Sequence, residues 1–230
     1  MQITLLGHNC FRLSGRDVTL VTDPFAPAEG SLRVSGERER VSADIVTVSR
    51  DEPGYNAVEA VGGEPRAVTG PGEYEIKGVL ITGVGTFRDA EHGKARGRNT
   101  VYLIELDDLR VCHLGNLGHV LETEQVDEIG TVDVLFVPAS APQTLSSAQI
   151  SEVISQLEPS TVVPMGWTAR DGEATGPTGA AGVTPALERF CHEMGIKEIE
   201  FQQRYTVTKG PRPAEAQAVQ VALLEPRGNM

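Results

Sequence analysis

The sequence predicts a layered α/β sandwich. The first half of the chain shows short strands separated by turns, whereas the second half alternates strands with helices. An all-parallel sheet needs that alternation along its whole length, so the early run of strands favours stacked layers. At 230 residues the chain is long enough for one large domain, and no repeat of fixed period divides it.

Strands are expected wherever β-branched or apolar runs are bounded by Gly, Pro, Asp or Asn. These runs are residues 3–6, 18–22, 45–49, 79–82, 101–106, 110–112 and 132–137. Helical spacing follows Leu121 at residues 123–128. A second helix is expected at residues 145–157, with Thr144 as its N-cap.

The remaining chain adds three predicted elements. They are a strand at 162–164, a helix at 185–193 that ends at Gly195, and a final strand at 197–201. Residues 169–183 are rich in Gly, Thr and Ala, so we expect a mobile loop there. Residues 210–218 form a polar, proline-containing connection. We therefore predict one domain over residues 1–230.

Composition and charge narrow the function classes. The formal charge is −12, with 40% hydrophobic and 23% charged residues, as in ordinary globular proteins. Nucleic-acid and anionic-membrane partners are disfavoured because like charges repel. Cys10, Cys112 and Cys191 form no CxxC pair, which disfavours disulfides and thiolate zinc sites and favours a reducing cytoplasm. The opening residues show no signal-peptide pattern and no apolar run approaches ~18 residues, so we expect neither secretion nor a membrane span.

A set of motifs follows one order along the chain. They are Leu6-Gly7-His8-Asn9-Cys10-Phe11 with Val21-Thr22-Asp23-Pro24-Phe25, Gly72-Glu73-Tyr74-Glu75, Arg96-Gly97-Arg98-Asn99-Thr100, His113-Leu114-Gly115-Asn116-Leu117-Gly118-His119 and Val162-Val163-Pro164-Met165. In order and approximate spacing they resemble the UlaG-like branch of the metallo-β-lactamase superfamily over residues 1–201. The resemblance implies a four-layer αββα sandwich and a hydrolase scaffold built around zinc or manganese.

The same resemblance implies that the metal ligands have been replaced. The family's His-x-His-x-Asp-His hallmark falls on residues 47–56. The four ligand positions of this hallmark are occupied here by Arg50, Glu52, Gly54 and Tyr55. The family's later ligand positions are occupied by Arg88, Asn116 and Gly166. Only Glu52 is an ordinary metal ligand, because a guanidinium has no lone pair to offer and an amide lacks the bridging charge. The chain has only five histidines, so a misplaced alignment does not explain the loss. We expect no bound metal cofactor.

Several polar residues near these positions are further pocket candidates: His8, Asp23, Asp51, His113 and His119. The two histidines His8 and His113 either face the pocket or hold turns through backbone hydrogen bonds, and the latter is favoured. Asp23 is expected to pair with an arginine. Asp51 and Glu52 would form an acid–base pair only if neighbouring loop carboxylates point the same way, which is uncommon. His119 either reaches the pocket or is exposed.

The remaining reactive or bulky side chains have simpler interpretations. Cys10 and Cys112 are expected in the core rather than as nucleophiles. His92 and His192 are expected at the surface. Trp167 either fills space left by the histidine missing at Gly166 or lies on the surface.

The leading hypothesis is a non-catalytic protein of this fold that binds a small anionic ligand at an arginine-lined pocket, or a protein partner. The alternative is an active hydrolase with a relocated or rebuilt metal site or a metal-free mechanism. A scaffold subunit that oligomerises with an intact relative is a third hypothesis, and a homo-oligomer is compatible with all three. In the leading hypothesis Arg50, Arg88 or both pair with Asp23, Asp51 or Glu52, because unpaired buried carboxylates are costly.

Overall fold

The computed structural model describes residues 1–139, 145–167, 184–209 and 219–228. Within these ranges two mixed β-sheets face each other, and α-helices lie outside them. The predicted mobile loop at 169–183, the connection at 210–218 and the expected N-cap Thr144 lie outside the described residues. The two-sheet arrangement confirms the predicted α/β sandwich.

The first sheet has six strands in the order β12-β1-β2-β3-β4-β5. Their bounds are β1 Gln2–Gly7, β2 Cys10–Ser14, β3 Thr19–Thr22, β4 Ile45–Val48, β5 Arg66–Thr69 and β12 Tyr205–Thr206. The pairs from β12 to β3 are antiparallel, whereas β3, β4 and β5 run parallel. The carboxyl ends of β3 and β4 therefore lie at the same edge.

The second sheet has seven strands in the order β13-β11-β10-β9-β8-β7-β6. Their bounds are β6 Gly72–Ile76, β7 Val79–Phe87, β8 Arg98–Leu106, β9 Leu109–His113, β10 Val134–Pro138, β11 Thr161–Met165 and β13 Gln220–Val221. Strands β6 to β9 are antiparallel, and β9, β10, β11 and β13 are parallel. Strand–helix alternation in the sequence corresponds to this parallel half.

Two cores lie on opposite faces of the first sheet. Successive residues of a strand point to opposite faces, so Leu5 and Leu20 enter the core between the sheets, whereas Leu6 and Val21 enter a second cluster. That second cluster is closed by the segment from 25 to 61, whose helical part is a 3-10 turn at Val58–Ala60. The outer cover of this sheet is thus mostly loop in the described structure.

Three α-helices pack against the main core. They are α1 Thr123–Ile129, α2 Ser147–Leu157 and α3 Pro185–Glu193. Ser146 caps α2 and forms a reciprocal capping box with Gln149, so the N-cap predicted at Thr144 is corrected by two positions. Thr184 caps α3, and Pro185 follows at its first position, where a missing N–H costs nothing. No helix in the described ranges is long and apolar enough to cross a membrane.

The predicted strand at 197–201 is wrong. Residues 197–201 form no strand. The next strand along the chain is β12, which pairs with β1 in the first sheet. Strands β2, β5, β6, β12 and β13 were not predicted. Strand β6 is largely exposed and interrupted by Glu and Gly, and β12 and β13 are two residues each, so their hydrophobic alternation is too weak to recognise.

Candidate functional site

Several strand ends and the loops that follow them meet at one edge of the sandwich. Thr100 N donates to Ser49 O across the two sheets (2.9 Å). Gly166 N, after β11, donates to His8 O after β1 (2.9 Å). The loops after β4 and β7 are joined through the side chains of Glu52 and Arg88. Three residues expected at replaced ligand positions, Glu52, Arg88 and Gly166, therefore lie in loops at this edge.

Glu52 bridges two arginines at this edge. One carboxylate oxygen, Oε1, contacts Nη1 of Arg88, and the other, Oε2, lies 3.5 Å from Nη1 of Arg50. The Arg50 and Arg88 side chains are only 7% and 17% exposed, whereas Glu52 is 47% exposed. The predicted pairing of both arginines with a pocket carboxylate is confirmed, and Glu52 is the partner of both.

Arg50 is the most confined charge of the cluster. Its Cζ lies 3.5 Å from the ring centroid of Tyr55, a stacked cation–π contact. Its Nε and Nη1 are buried without a hydrogen-bond acceptor among the described residues. Burial lowers the pKa of the Arg50 guanidinium, Tyr55 and Glu52 oppose this effect, and Arg88 adds to it. The chain thus keeps a buried cation that its own groups leave incompletely bonded.

Asn116, which the resemblance leads us to expect in place of a bridging carboxylate, belongs to a network of amides. Asn9 Nδ2 donates to Asn116 Oδ1 (2.5 Å), and Asn116 N donates to Asn99 Oδ1 (2.8 Å). Asn99 Nδ2 donates to Thr86 Oγ1 (2.8 Å) and to Leu114 O (3.0 Å). Neutral amides therefore tie the loops after β1 and β9 to strands β7 and β8.

Asp23 does not pair with an arginine, so that expectation is corrected. Its two carboxylate oxygens accept hydrogen bonds from Ser49 N (2.7 Å) and Ser49 Oγ (2.6 Å). Asp23 is 1% exposed, and burial raises its pKa, while His113 and the Ser49 hydrogen bonds act in the opposite direction. The carboxylate lies at the end of β3, where local donors reach it before the longer Arg50 side chain.

His113 and His119 form hydrogen bonds with backbone groups and do not line an open pocket. His113 is fully buried, with Nε2 3.0 Å from Asn9 O and Nδ1 accepting from Gly115 N (3.3 Å). Burial lowers the pKa of His113, although Asp23 opposes this effect. His119 Nε2 accepts from Phe87 N (3.2 Å), and its Nδ1 lies 2.8 Å from Val120 O. Both rings therefore fit neutral imidazoles that fasten turns.

The remaining candidates separate into distinct environments. Asp51 accepts from Asn56 Nδ2 (2.7 Å), so it and Glu52 have different partners and do not form an acid–base pair. His8 packs edge-on against Phe25, and Gly54 has a φ of +92° that favours glycine.

Trp167 is buried, which excludes the surface position. It is 2% exposed, its Nε1 donates to Pro164 O (3.1 Å), and its ring stacks on Phe201 with centroids 5.3 Å apart. Cys10 and Cys112 are buried as expected, and burial raises the pKa of both thiols, which disfavours a thiolate nucleophile. His92 and His192 are exposed as expected.

A cavity of about 840 Å³ opens beside the arginine cluster. Its charged lining residues are Arg50, Asp51, Glu52, Arg96 and Arg98, and its other walls include Val48, Ser49, Val58, Pro71, Thr86, Phe87 and Asn99. The cavity lining also contains four residues that were not predicted there: Arg96, Arg98, Ser49 and Asn99. The Arg96-Gly97-Arg98-Asn99-Thr100 motif was the available signal, because it stands in family order without containing a metal ligand.

The residues at this edge do not fit a zinc or manganese site. Such ions need several neutral imidazole, thiolate or carboxylate donors. Both oxygens of Glu52 face guanidinium groups, and the amide oxygen of Asn116 already accepts from Asn9. In the part of the chain that the structure describes, no three His, Cys, Asp or Glu residues are grouped so as to hold a metal.

The fold and the position of the site define a protein of the metallo-β-lactamase type, a class of metal-dependent hydrolases. The chain matches the family described as "Beta-lactamase superfamily domain" over residues 2–166, and it belongs to that family. The match ends at Gly166, the last of the residues expected at a replaced ligand position. Strands β1 to β11 and every residue that lines the cavity therefore lie inside the matched region.

Individual relatives agree with this assignment. A UPF0173 metal-dependent hydrolase of Desulforamulus reducens is 26% identical over 191 residues, covering 72% of this chain and 83% of the relative. A crystal structure of a metallo-β-lactamase superfamily protein from Thermotoga maritima is 31% identical, with a TM-score of 0.74 and 97% of each chain covered. An isothiocyanate hydrolase from Delia radicum gut bacteria is 11% identical (TM-score 0.64, 99% and 97% covered), a likeness of fold alone.

Proposed function

We propose that this chain is a non-catalytic member of the family, on its UlaG-like branch, that binds a small anionic ligand in the cavity beside Arg50. One observation carries the proposal. The Arg50 guanidinium is 7% exposed, yet its Nε and Nη1 find no hydrogen-bond acceptor among the described residues. A buried donor without a partner costs free energy, which a bound anion can recover.

The charge around the cavity supports an anion. Three arginines and two carboxylates line it, which gives a local excess of one positive charge. The whole chain carries −12. A positive cavity on an acidic protein concentrates anions locally, because a low-dielectric cleft focuses the field of the charges that line it.

The second candidate is an active hydrolase with a rebuilt metal site, and the names of the relatives favour it. The metal-dependent hydrolases of Desulforamulus reducens and other organisms are 20% to 27% identical to this chain. The donor set at the edge opposes it, because Arg50 and Arg88 occupy ligand positions and repel a divalent cation at short range. The two candidates differ in whether the purified protein carries metal.

Thermal unfolding with phosphate and sulfate tests the anion proposal. A ligand that binds only the folded protein adds about 2.7 kcal/mol of stability at a concentration a hundred times its Kd. We expect the melting temperature of the wild type to rise with phosphate or sulfate, and Arg50→Ala to abolish the rise. The control Arg16→Ala removes an arginine that is 74% exposed and paired with Asp107 and Asp108 away from this cavity. Equal anion effects in all three proteins would overturn the proposal.

Metal analysis tests the alternative. Protein purified without chelator and dialysed against zinc and then manganese should retain far less than one equivalent of either ion. Retention near one equivalent, lost in Glu52→Gln, would replace the anion proposal with a rebuilt metal centre.

A further inference from the structure

The Glu52 side chain occupies the place where an anion would bind. It is the carboxylate shared by Arg50 and Arg88, both of which are far less exposed than Glu52 itself. Its backbone is held separately, since Glu52 N donates to Arg50 O (3.0 Å) and Glu52 O accepts from Tyr55 N (3.1 Å). The side chain can therefore swing away from the arginines while the loop keeps its turn.

Glu52 satisfies the two arginines unequally. Its Oε1 forms a hydrogen bond with Arg88 Nη1, whereas its Oε2 is 3.5 Å from Arg50 Nη1 and makes an ion pair without a hydrogen bond. A free anion is not tied to the loop and can approach Arg50 with better geometry. Two directed hydrogen bonds to one guanidinium are stronger than a single misaligned contact.

The rest of the cavity is suited to an apolar group. Val48, Val58, Pro71 and Phe87 form apolar walls. Polar wall groups such as Thr86 Oγ1 and Asn99 Nδ2 bond to each other (2.8 Å). A volume of about 840 Å³ far exceeds the needs of an inorganic anion and falls in the range of pockets for organic ligands.

We infer that the cavity takes an organic anion with an apolar body, and that its anionic head displaces the Glu52 carboxylate from between Arg50 and Arg88. The apolar body then lies against Val48, Val58 and Phe87. This inference rests on the proposed function and specifies the ligand class and the residue that competes with it. Glu52 sets the affinity because every ligand must break its two ion pairs.

Calorimetric titration with inorganic phosphate and phenyl phosphate tests the displacement. Glu52→Gln keeps the size of the side chain and removes the competing charge, so both ligands should bind about tenfold more tightly than to the wild type. Asp51→Asn removes the same charge one residue away, from a carboxylate that bonds to Asn56 instead of arginine. It should change the affinities by about twofold at most. Equal gains in affinity in the two variants would show that Glu52 acts only through its general charge, and this result would overturn the displacement.

The apolar body is tested with the same titrations. Phenyl phosphate should bind the wild type about tenfold more tightly than inorganic phosphate, because burial of the ring adds hydrophobic stabilisation. Phenol, which has the ring without the anion, should give no measurable binding. Equal affinities for phosphate and phenyl phosphate would refute the apolar subsite.

The outcomes separate this inference from the proposed function. Phosphate binding that depends on Arg50 but is insensitive to Glu52→Gln would sink the inference and leave anion binding standing. Failure of the wild type and Glu52→Gln to bind either phosphate would sink both. Release of phenol from phenyl phosphate, absent in Arg50→Ala, would show catalysis and contradict the non-catalytic assignment.

Discussion

Two polar regions lie side by side at the same edge of the sandwich and differ in how completely their groups are bonded. In the buried network, the polar side chains of Asn9, Asp23, Asn99 and His113 each have hydrogen-bond partners. In the arginine cluster, Arg50 Nε and Nη1 lack an acceptor, and Glu52 is half exposed. The buried network serves the fold, whereas the arginine cluster keeps two buried N–H groups without an acceptor among the described residues.

The difference follows from charge and distance. The amides and the neutral imidazole of the buried network find partners in nearby backbone groups and in one another, so the loops after β1, β3 and β9 can close over them. Guanidinium groups need acceptors in a fixed plane, and a single carboxylate shared between two arginines cannot fill both planes. A bound metal would balance the negative charge of carboxylates at this edge. In this chain the unbalanced charge is instead the positive charge of the arginines.

The largest expected effect is in the buried network. Asn99→Ala removes the acceptor of Asn116 N and the donor to Thr86 and Leu114, which leaves buried groups unpaired. We expect the free energy of unfolding in urea to fall by about 3 kcal/mol. The control Asn56→Ala, which breaks a hydrogen bond to Asp51 at the surface, should cost less than about 1 kcal/mol. Similar losses in both variants would remove the structural role assigned to the network.

The pH dependence of stability sharpens the same comparison. The folded pKa of His113 is lowered, so the unfolded chain takes up a proton first. The contribution of His113 is present above about pH 6.5 and is lost as pH falls below it, by up to about 1.4 kcal/mol per pH unit. His113→Gln keeps a donor for Asn9 O and should flatten the dependence of the urea midpoint between pH 7 and pH 5, a window set by the ordinary pKa of histidine, about 6.5.

The contribution of Asp23 to stability changes with pH in the direction opposite to that of His113, so its substitution is a companion experiment. Its folded pKa is raised, so the folded protein takes up this proton first and gains stability as pH falls through that pKa. Asp23→Asn removes this gain, so the free energy of unfolding should fall more steeply as the pH decreases. An unchanged profile in both variants would mean that neither group titrates differently in the folded and unfolded chain.

A smaller effect is expected in the arginine cluster. Arg50→Ala loses the stacking on Tyr55 and the ion pair with Glu52, but it also relieves two buried N–H groups without acceptors. These contributions offset each other, so the free energy of unfolding without ligand should change by about 1 kcal/mol or less. A loss as large as that of Asn99→Ala would make Arg50 a structural residue and weaken its assignment as a ligand site.

The smallest effect is expected for Glu52→Gln. The side chain is 47% exposed, and ion pairs with solvent access contribute little after screening. Its unfolding free energy should differ from that of the wild type by about 0.5 kcal/mol or less, and the difference should shrink in high salt. A much larger loss would show that Glu52 holds the loop and is not free to be displaced.

Sequence alone determined the layered sandwich and the pairing of arginine with a pocket carboxylate. Those conclusions rest on ordered local motifs and on residue chemistry, such as the missing lone pair of Arg50, which hold in any conformation. The helix at Pro185–Glu193 was predicted for the same reason, since its cap, spacing and terminal glycine are local signals.

Only the tertiary structure decided which partner each polar group takes. Asp23 binds Ser49 instead of an arginine, and Trp167 is buried against Phe201. The cavity gathers Arg50 and Arg98 from loops and strands of different sheets. Contacts of this kind join residues far apart in the chain, and hydrogen bonds form with whichever donor the packed backbone brings nearest, so no local pattern encodes them.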